Sequence, residues 1–213
     1  MRVPNALAAA GIATSAVLVL ASCGSSESKS PDEIAGVPTS APSVTATPTA
    51  TASAGRPTIT FPPFAKNVFE GPQTGDPRKD AVLADNAQWV DAMDDAIFQG
   101  SASTRTLEFY TNGQAVEASI RYVQGYVKKG DKWAGTTRFF DRKVTFGDAG
   151  SAYVAYCADE SKSYITNPKK PTEHTPTSAS SYVFYNTKLT KNKQGVWQTT
   201  NVLSDRGAKQ CQP

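Results

Sequence analysis

The chain is poor in the side chains that most often carry chemistry. Among 213 residues there is one histidine, and there are three cysteines. One imidazole without a cysteine pair at ligand spacing does not close a four-donor metal site, so no metal and no cofactor is expected. A glycine-rich phosphate loop, a nucleophile elbow and an H-E-x-x-H pair are also missing, which removes the usual signatures of nucleotide binding, ester hydrolysis and metalloproteolysis. Charge of one sign is scarce: 22 basic against 19 acidic residues leave a net +3. It is spread along the chain, not gathered into the basic stripe with which a nucleic-acid binder neutralises phosphates. Nucleic acid is therefore not an expected partner. Large apolar residues are almost absent from residues 24–57, and a segment of that composition cannot bury enough surface to offset its ordering entropy.

What is present begins at the amino terminus. Arg2 precedes the uncharged stretch 6–21 (ALAAAGIATSAVLVLA), a positive n-region followed by an apolar h-region of signal-peptide length, short for a membrane span. It ends in Leu20-Ala21-Ser22-Cys23, which resembles the lipobox of bacterial lipoproteins: an aliphatic residue, two small residues and the cysteine that takes the lipid. The resemblance implies removal of residues 1–22 and acylation, palmitate included, at Cys23. Each buried methylene contributes about 0.8 kcal/mol, so two or three acyl chains hold a protein where a single one is marginal. The expected location is the extracytoplasmic face of the cell membrane, with the membrane a partner through lipid on Cys23. Residues 23–58 read as a disordered stalk, a linker whose r.m.s. span is about 30–35 Å if fully flexible.

Apolar residues return in the segment 59–75, an extended lead-in expected to pack onto the domain; Pro62 and Pro63 forbid a helix there. A helix then starts with Asp76 as cap and Pro77 at its first position. Val82, Leu83, Asn86, Val90, Met93 and Ile97 recur at helical spacing, and Gly100 ends it. Asp80, Asp85, Asp91, Asp94 and Asp95 are assigned to the opposite face as solvated charge. A second helical region covers about 104–129, broken at Asn112-Gly113. Beyond Gly130 the segments 133–146, 151–159, 181–191 and 196–203 are rich in β-branched and aromatic residues and separated by turn residues, which predicts strands in hairpins.

Helices first and long strands afterwards make an α+β arrangement, helices packed on one face of a curved antiparallel sheet. With AVLADNAQWVDAM on the first helix, YVAYCADESK on a central strand and YVFYNTKLTKNKQGVWQTTNVLSDRGAKQC at the end, residues 76–213 resemble the NTF2-like (SnoaL-like) cone fold. More narrowly, they resemble small secreted lipoproteins of actinobacteria, the high-GC Gram-positive group. The resemblance implies a pocket between helices and sheet, and an outer sheet face that members of the fold often use to dimerise.

Cys157 and Cys211 remain once Cys23 is assigned to lipid. An exported protein meets oxidants, and a disulfide is expected; a reactive thiol or a metal pair has no neighbouring His or Cys to support it. His174, in a Pro-rich connection, reads as an exposed loop residue. Asp141 and Asp159 lie at or near strand ends, where a buried carboxylate could serve as a base; their plainer reading is a turn residue and a surface acid. Among the aromatics, Tyr122, Phe139, Tyr156, Phe184 and Trp197 are the candidates to line a pocket, which would take an apolar or aromatic small molecule. No residue is assigned a catalytic role. These features together favour a membrane-anchored surface protein with a non-catalytic binding or protein-interaction domain, its partner an envelope protein or a small hydrophobic ligand. The alternative is a SnoaL-like enzyme or carrier acting on a small hydrophobic molecule.

Overall fold

The computed structural model describes residues 55–213, apart from positions 72, 173 and 175. The signal segment 1–22, Cys23 and the stalk up to residue 54 lie outside the described residues. Among those described, no helix is long and apolar enough to cross a membrane.

The lead-in contributes a short strand, β1 (Ala65–Phe69). Helix α1 (Pro77–Gln99) starts where the Asp76 carboxylate accepts the Arg78 N–H at 2.9 Å, and ends where Gly100, left-handed at φ 72°, turns its N–H back to the Ala96 and Ile97 carbonyls. Helices α2 (Arg105–Tyr110) and α3 (Gln114–Val127) follow, separated at Asn112-Gly113. The rest is an antiparallel meander: β2 (Lys132–Phe146), β3 (Ser151–Thr166), β4 (Tyr182–Lys191) and β5 (Trp197–Arg206). The third strand continues to Thr166 beyond the predicted end at 159. Strand β1 adds in parallel to the free edge of β2, so the sheet runs β1-β2-β3-β4-β5.

Register shifts at 136–138 and 140–143 on β2, and at 188–189 on β4, bend the sheet. Gly135 (φ 95°) sits at the first of them, where a Cβ would collide with the Lys162 carbonyl oxygen. The helices close over the inner face. Val82, Leu83, Trp89 and Val90 of α1 pack on Phe139, Val154, Tyr156, Val183 and Leu189, while Ala96 and Ile97 meet Leu107 and Val123. The result is the α+β cone with helices on one face of a curved antiparallel sheet.

The acids of α1 depart from the sequence reading. Asp85, Asp94 and Asp95 are only 2, 9 and 6 % exposed, because the lead-in packs at Asp85, β1 and β2 at Asp94 and α2 at Asp95. Each carboxylate has found donors. Asp85 pairs with Arg56 and accepts the Trp197 N–H at 2.8 Å. Asp95 accepts from Thr106 and Gln99, and Asp80 from the Thr74 N–H and hydroxyl. Among the described residues Arg56, inside the segment read as stalk, already contacts the domain.

On the outer face Cys157 and Cys211 are joined as a disulfide, Cα atoms 5.4 Å apart, tying the carboxy-terminal turn onto β3 and β4 beside Ala208 and Phe184. The loop it closes spans 54 residues. Replacing both cysteines by serine should lower the unfolding free energy by about 2–4 kcal/mol, read from denaturant midpoints and reproduced in the unmodified chain by reductant. Arg56→Ala should cost about 1–3 kcal/mol, because it strands the buried Asp85 charge, and a midpoint within error of the parent would show that the lead-in is not held by this pair.

Candidate functional site

Helices α1 and α3 stand over the inner face of the sheet, and the space left between them is a half-enclosed cavity of about 220 Å³. Its floor is a carboxylate. Asp94 accepts the Trp133 indole N–H at 3.0 Å on one oxygen and the Asn67 amide at 2.7 Å on the other. The same amide donates to Asp91 at 2.9 Å, which leaves the Asn67 carbonyl oxygen buried and without a partner.

Aromatic rings make the walls. Tyr156 stacks on Tyr185 at 5.1 Å across β3 and β4, with Phe139 edge-on to Tyr156. Tyr122 and Tyr126, one turn apart on α3, bring their rings within 5.4 Å and their hydroxyls within 3.5 Å. Tyr122 is 40 % exposed. The rim carries an ion pair, Arg206 donating to both Glu160 oxygens at 2.6 and 3.1 Å and to the Ser180 carbonyl at 2.7 Å.

Burial governs the protonation of this site. Removal from water pushes Asp94 up to about 7 and Asp91 up to about 6, against the lowering effect of the Asn67 amide on both. The phenols of Tyr122, Tyr126, Tyr156 and Tyr185 are raised, first by burial, and all four also feel the Asp94 charge. Four phenols and a carboxyl therefore share one low-dielectric space.

Of the aromatics chosen from the sequence, Tyr122, Phe139 and Tyr156 line the cavity; Phe184 and Trp197 do not. Phe184 pairs with Cys157 in the ladder, and Tyr185 with Tyr156. Side chains alternate across a strand, which sends Phe184 to the outer face with the disulfide and Tyr185 to the cavity. Trp197 lies in the core, its backbone N–H bound to Asp85. The candidate acids also fall elsewhere. Asp141 is exposed in the β2 bulge at φ 51°. Partial burial pushes Asp159 up, but hydrogen bonds from Ser161 and Arg138 outweigh this and hold it below the ordinary carboxylate range. His174 is exposed, its ring 4.0 Å from that of Tyr164. Among the described residues no group of three or more His, Cys, Asp or Glu could hold a metal ion.

Asp94, Asn67, Tyr126, Tyr185, Glu160 and Arg206 are the site residues that the sequence reading did not select. One of them had a signal. Asp94 follows Val90 by four and precedes Ile97 by three, so it stands in the apolar stripe of α1 and not opposite it.

No family model and no curated protein sequence matches the chain. Solved structures with a similar course of chain include Aln2 from a Streptomyces species (19 % identity, 63 % of this chain and 94 % of that one, TM-score 0.41). Others are the intermembrane-space region of the chloroplast protein ARC6 (11 %, 63 % and 99 %, 0.41) and a ketosteroid isomerase-like protein from Erwinia carotovora atroseptica (12 %, 62 % and 97 %, 0.40).

Asp94 and Asp91 make stability depend on pH with a definite sign. Their folded-state values lie above the unfolded value of about 3.9, so between pH 4 and 7 the folded chain binds more protons than the unfolded one. Their contribution is complete below pH 4 and is lost as pH rises through 6 and 7. The melting temperature should be higher at pH 5 than at pH 8, and Asp94→Asn, which removes the titrating group, should flatten the profile. A melting temperature that climbs from pH 5 to 8 in the parent, unchanged in the variant, would contradict this assignment.

Proposed function

We propose that this chain is a lipid-anchored protein of a bacterial envelope, of the kind actinobacteria carry, whose cone binds a small molecule against Asp94. One observation carries the binding role: a half-enclosed cavity walled by aromatics ends on a buried carboxyl that no side chain among the described residues neutralises. Filling a core with apolar residues would be more stable than keeping such a group. Pockets that bury a ligand on apolar walls and orient it by a few polar groups have this composition. The volume sets the scale, since an apolar cavity of about 150 Å³ admits benzene; the ligand, or the part of it that enters, has few heavy atoms.

Anchoring is supported by the Leu20-Ala21-Ser22-Cys23 motif after its apolar run. Incorporation of a palmitate analogue should be lost in Cys23→Ser; a variant that still incorporates the analogue would refute lipid attachment at Cys23. For the pocket, a nuclear magnetic resonance titration of the full chain with a library of small molecules should give saturable binders that shift the Trp133 indole N–H. Ser163→Trp, which narrows the mouth, should weaken them at least tenfold. Binders that shift only residues of the outer face, or none at all, would move the function to an interaction surface.

A second reading, a proton-transfer enzyme, is favoured by the Asp94 carboxyl at about 7, where a general base is most effective. It requires that a bound carbonyl compound exchange an acidic C–H for deuterium, and that Asp94→Asn abolish the exchange while leaving binding intact.

A further inference from the structure

We infer that the cavity is built for an organic cation, an alkylated ammonium about the size of a choline headgroup, held among the rings of Tyr122, Tyr126, Trp133, Tyr156 and Tyr185 with the Asp94 carboxylate as its counter-charge. This rests on the ligand-pocket reading and adds the charge and substitution of the ligand.

The charges facing the cavity decide the sign. Glu160 on the rim is matched by Arg206, which gives it two hydrogen bonds. Asp91 feels the positive charge of Arg142 from β2, itself half-buried and bonded to the Leu83 carbonyl. Arg121 and Lys129 of the α3 segment line a separate, shallower depression that meets the cavity only at Tyr122, Tyr126 and Ile165. Asp94 has only the neutral donors Trp133 and Asn67, and no ion pair to it exists among the described residues. With Asp94 ionised the enclosed space carries an unbalanced negative charge, deepened by the electron-rich faces of the rings and by the phenol oxygens. An anion is repelled there. A neutral apolar guest leaves the carboxylate uncompensated in a medium of low dielectric and so requires the carboxyl to take up a proton. A monocation neutralises it, and aromatic walls attract cations most strongly where water is excluded.

The hydrogen bonds decide the substitution. A primary ammonium brings three N–H donors that must each find an acceptor on leaving water, and each Asp94 oxygen already gives one of its lone pairs to Trp133 or Asn67. An ammonium whose hydrogens are replaced by methyl groups needs no acceptors, matches apolar walls and still supplies the charge. Binding then selects the ionised form of Asp94 and is linked to proton release.

Calorimetric titration of the full chain in micelles of an uncharged detergent, with choline and its uncharged isostere 3,3-dimethylbutan-1-ol, separates the readings. The expected result is that choline binds at pH 8 with displacement of the Trp133 indole N–H resonance, and that the isostere binds at least tenfold more weakly. Asp94→Asn should remove this preference. With the carboxyl at about 7, the ionised fraction makes choline roughly 30-fold weaker at pH 5.5 than at pH 8; this pH test in the parent chain stands even if the variant does not fold. Equal affinity for the two probes, or preference for the isostere, overturns the cation assignment and leaves the pocket reading in place. Failure of both probes overturns the cation assignment as well, and the broader library titration then decides whether the pocket itself survives.

Discussion

Everything in this domain is arranged around a helix that is covered on nearly every side while carrying five aspartates. A carboxylate taken out of water is costly unless donors or a cation meet it, so each side of α1 imposes a demand on whatever packs there. The lead-in meets the demand of Asp85 with Arg56, α2 that of Asp95 with Thr106, and β1 supplies the Asn67 amide to Asp91 and Asp94 together. The short parallel strand at the sheet edge is therefore more than an edge cover. It delivers one polar side chain to the one place where two acids approach each other, and at Asp94 the demand is met by neutral donors alone.

How much of this can be read from the chain follows from the range of the forces involved. The boundaries of α1 are local chemistry: a capping Asp76, a proline at the first turn, a glycine able to turn left-handed. The break at Asn112-Gly113 and the hairpins after Gly130 are equally local, and they were legible, as was the α+β order of elements. The burial of Asp85 and Asp95 was not, because a helical wheel shows which residues share a face but not which other segment will cover it. A period-3.6 stripe was visible and was given to the core; part of the cover over the rest of α1 comes from residues 56–69, whose pairing to β2 is parallel and therefore non-local. Asn86 marks the same difficulty in milder form, a polar residue in the stripe whose amide meets the Thr187 hydroxyl across the core.

The cavity was half legible for a simpler reason. Tyr156 and Phe184 are both aromatic and on adjacent strands, but only a known register shows that Cys157 faces Phe184 and that the next pair, Tyr156 and Tyr185, points the other way. A shift of one residue exchanges the faces. The disulfide offers a fixed point that could have set this register: if Cys157 must reach a tail packed outside the sheet, Tyr156 must point inside it, and its partner on β4 with it.

The retention of Asp94 is the point at which stability and use diverge. An asparagine there would keep the size and remove the charge, but its single oxygen could accept only one of the Trp133 and Asn67 donors that the two carboxyl oxygens accept together, while burial opposes ionisation of the aspartate near neutral pH. The two donors hold the aspartate in place, while its charge meets no cation at the floor of a space the domain leaves partly open. The surrounding phenols add no charge of their own, each being harder to ionise when buried beside Asp94. A cationic guest would meet the Asp94 charge directly, and its affinity would come from neutralising it. A site built this way is selective without any rigid hydrogen-bond template, because discrimination comes from the guest's charge and from the absence of N–H donors it would have to desolvate. The walls supply shape, the floor supplies sign, and neither requires a catalytic group.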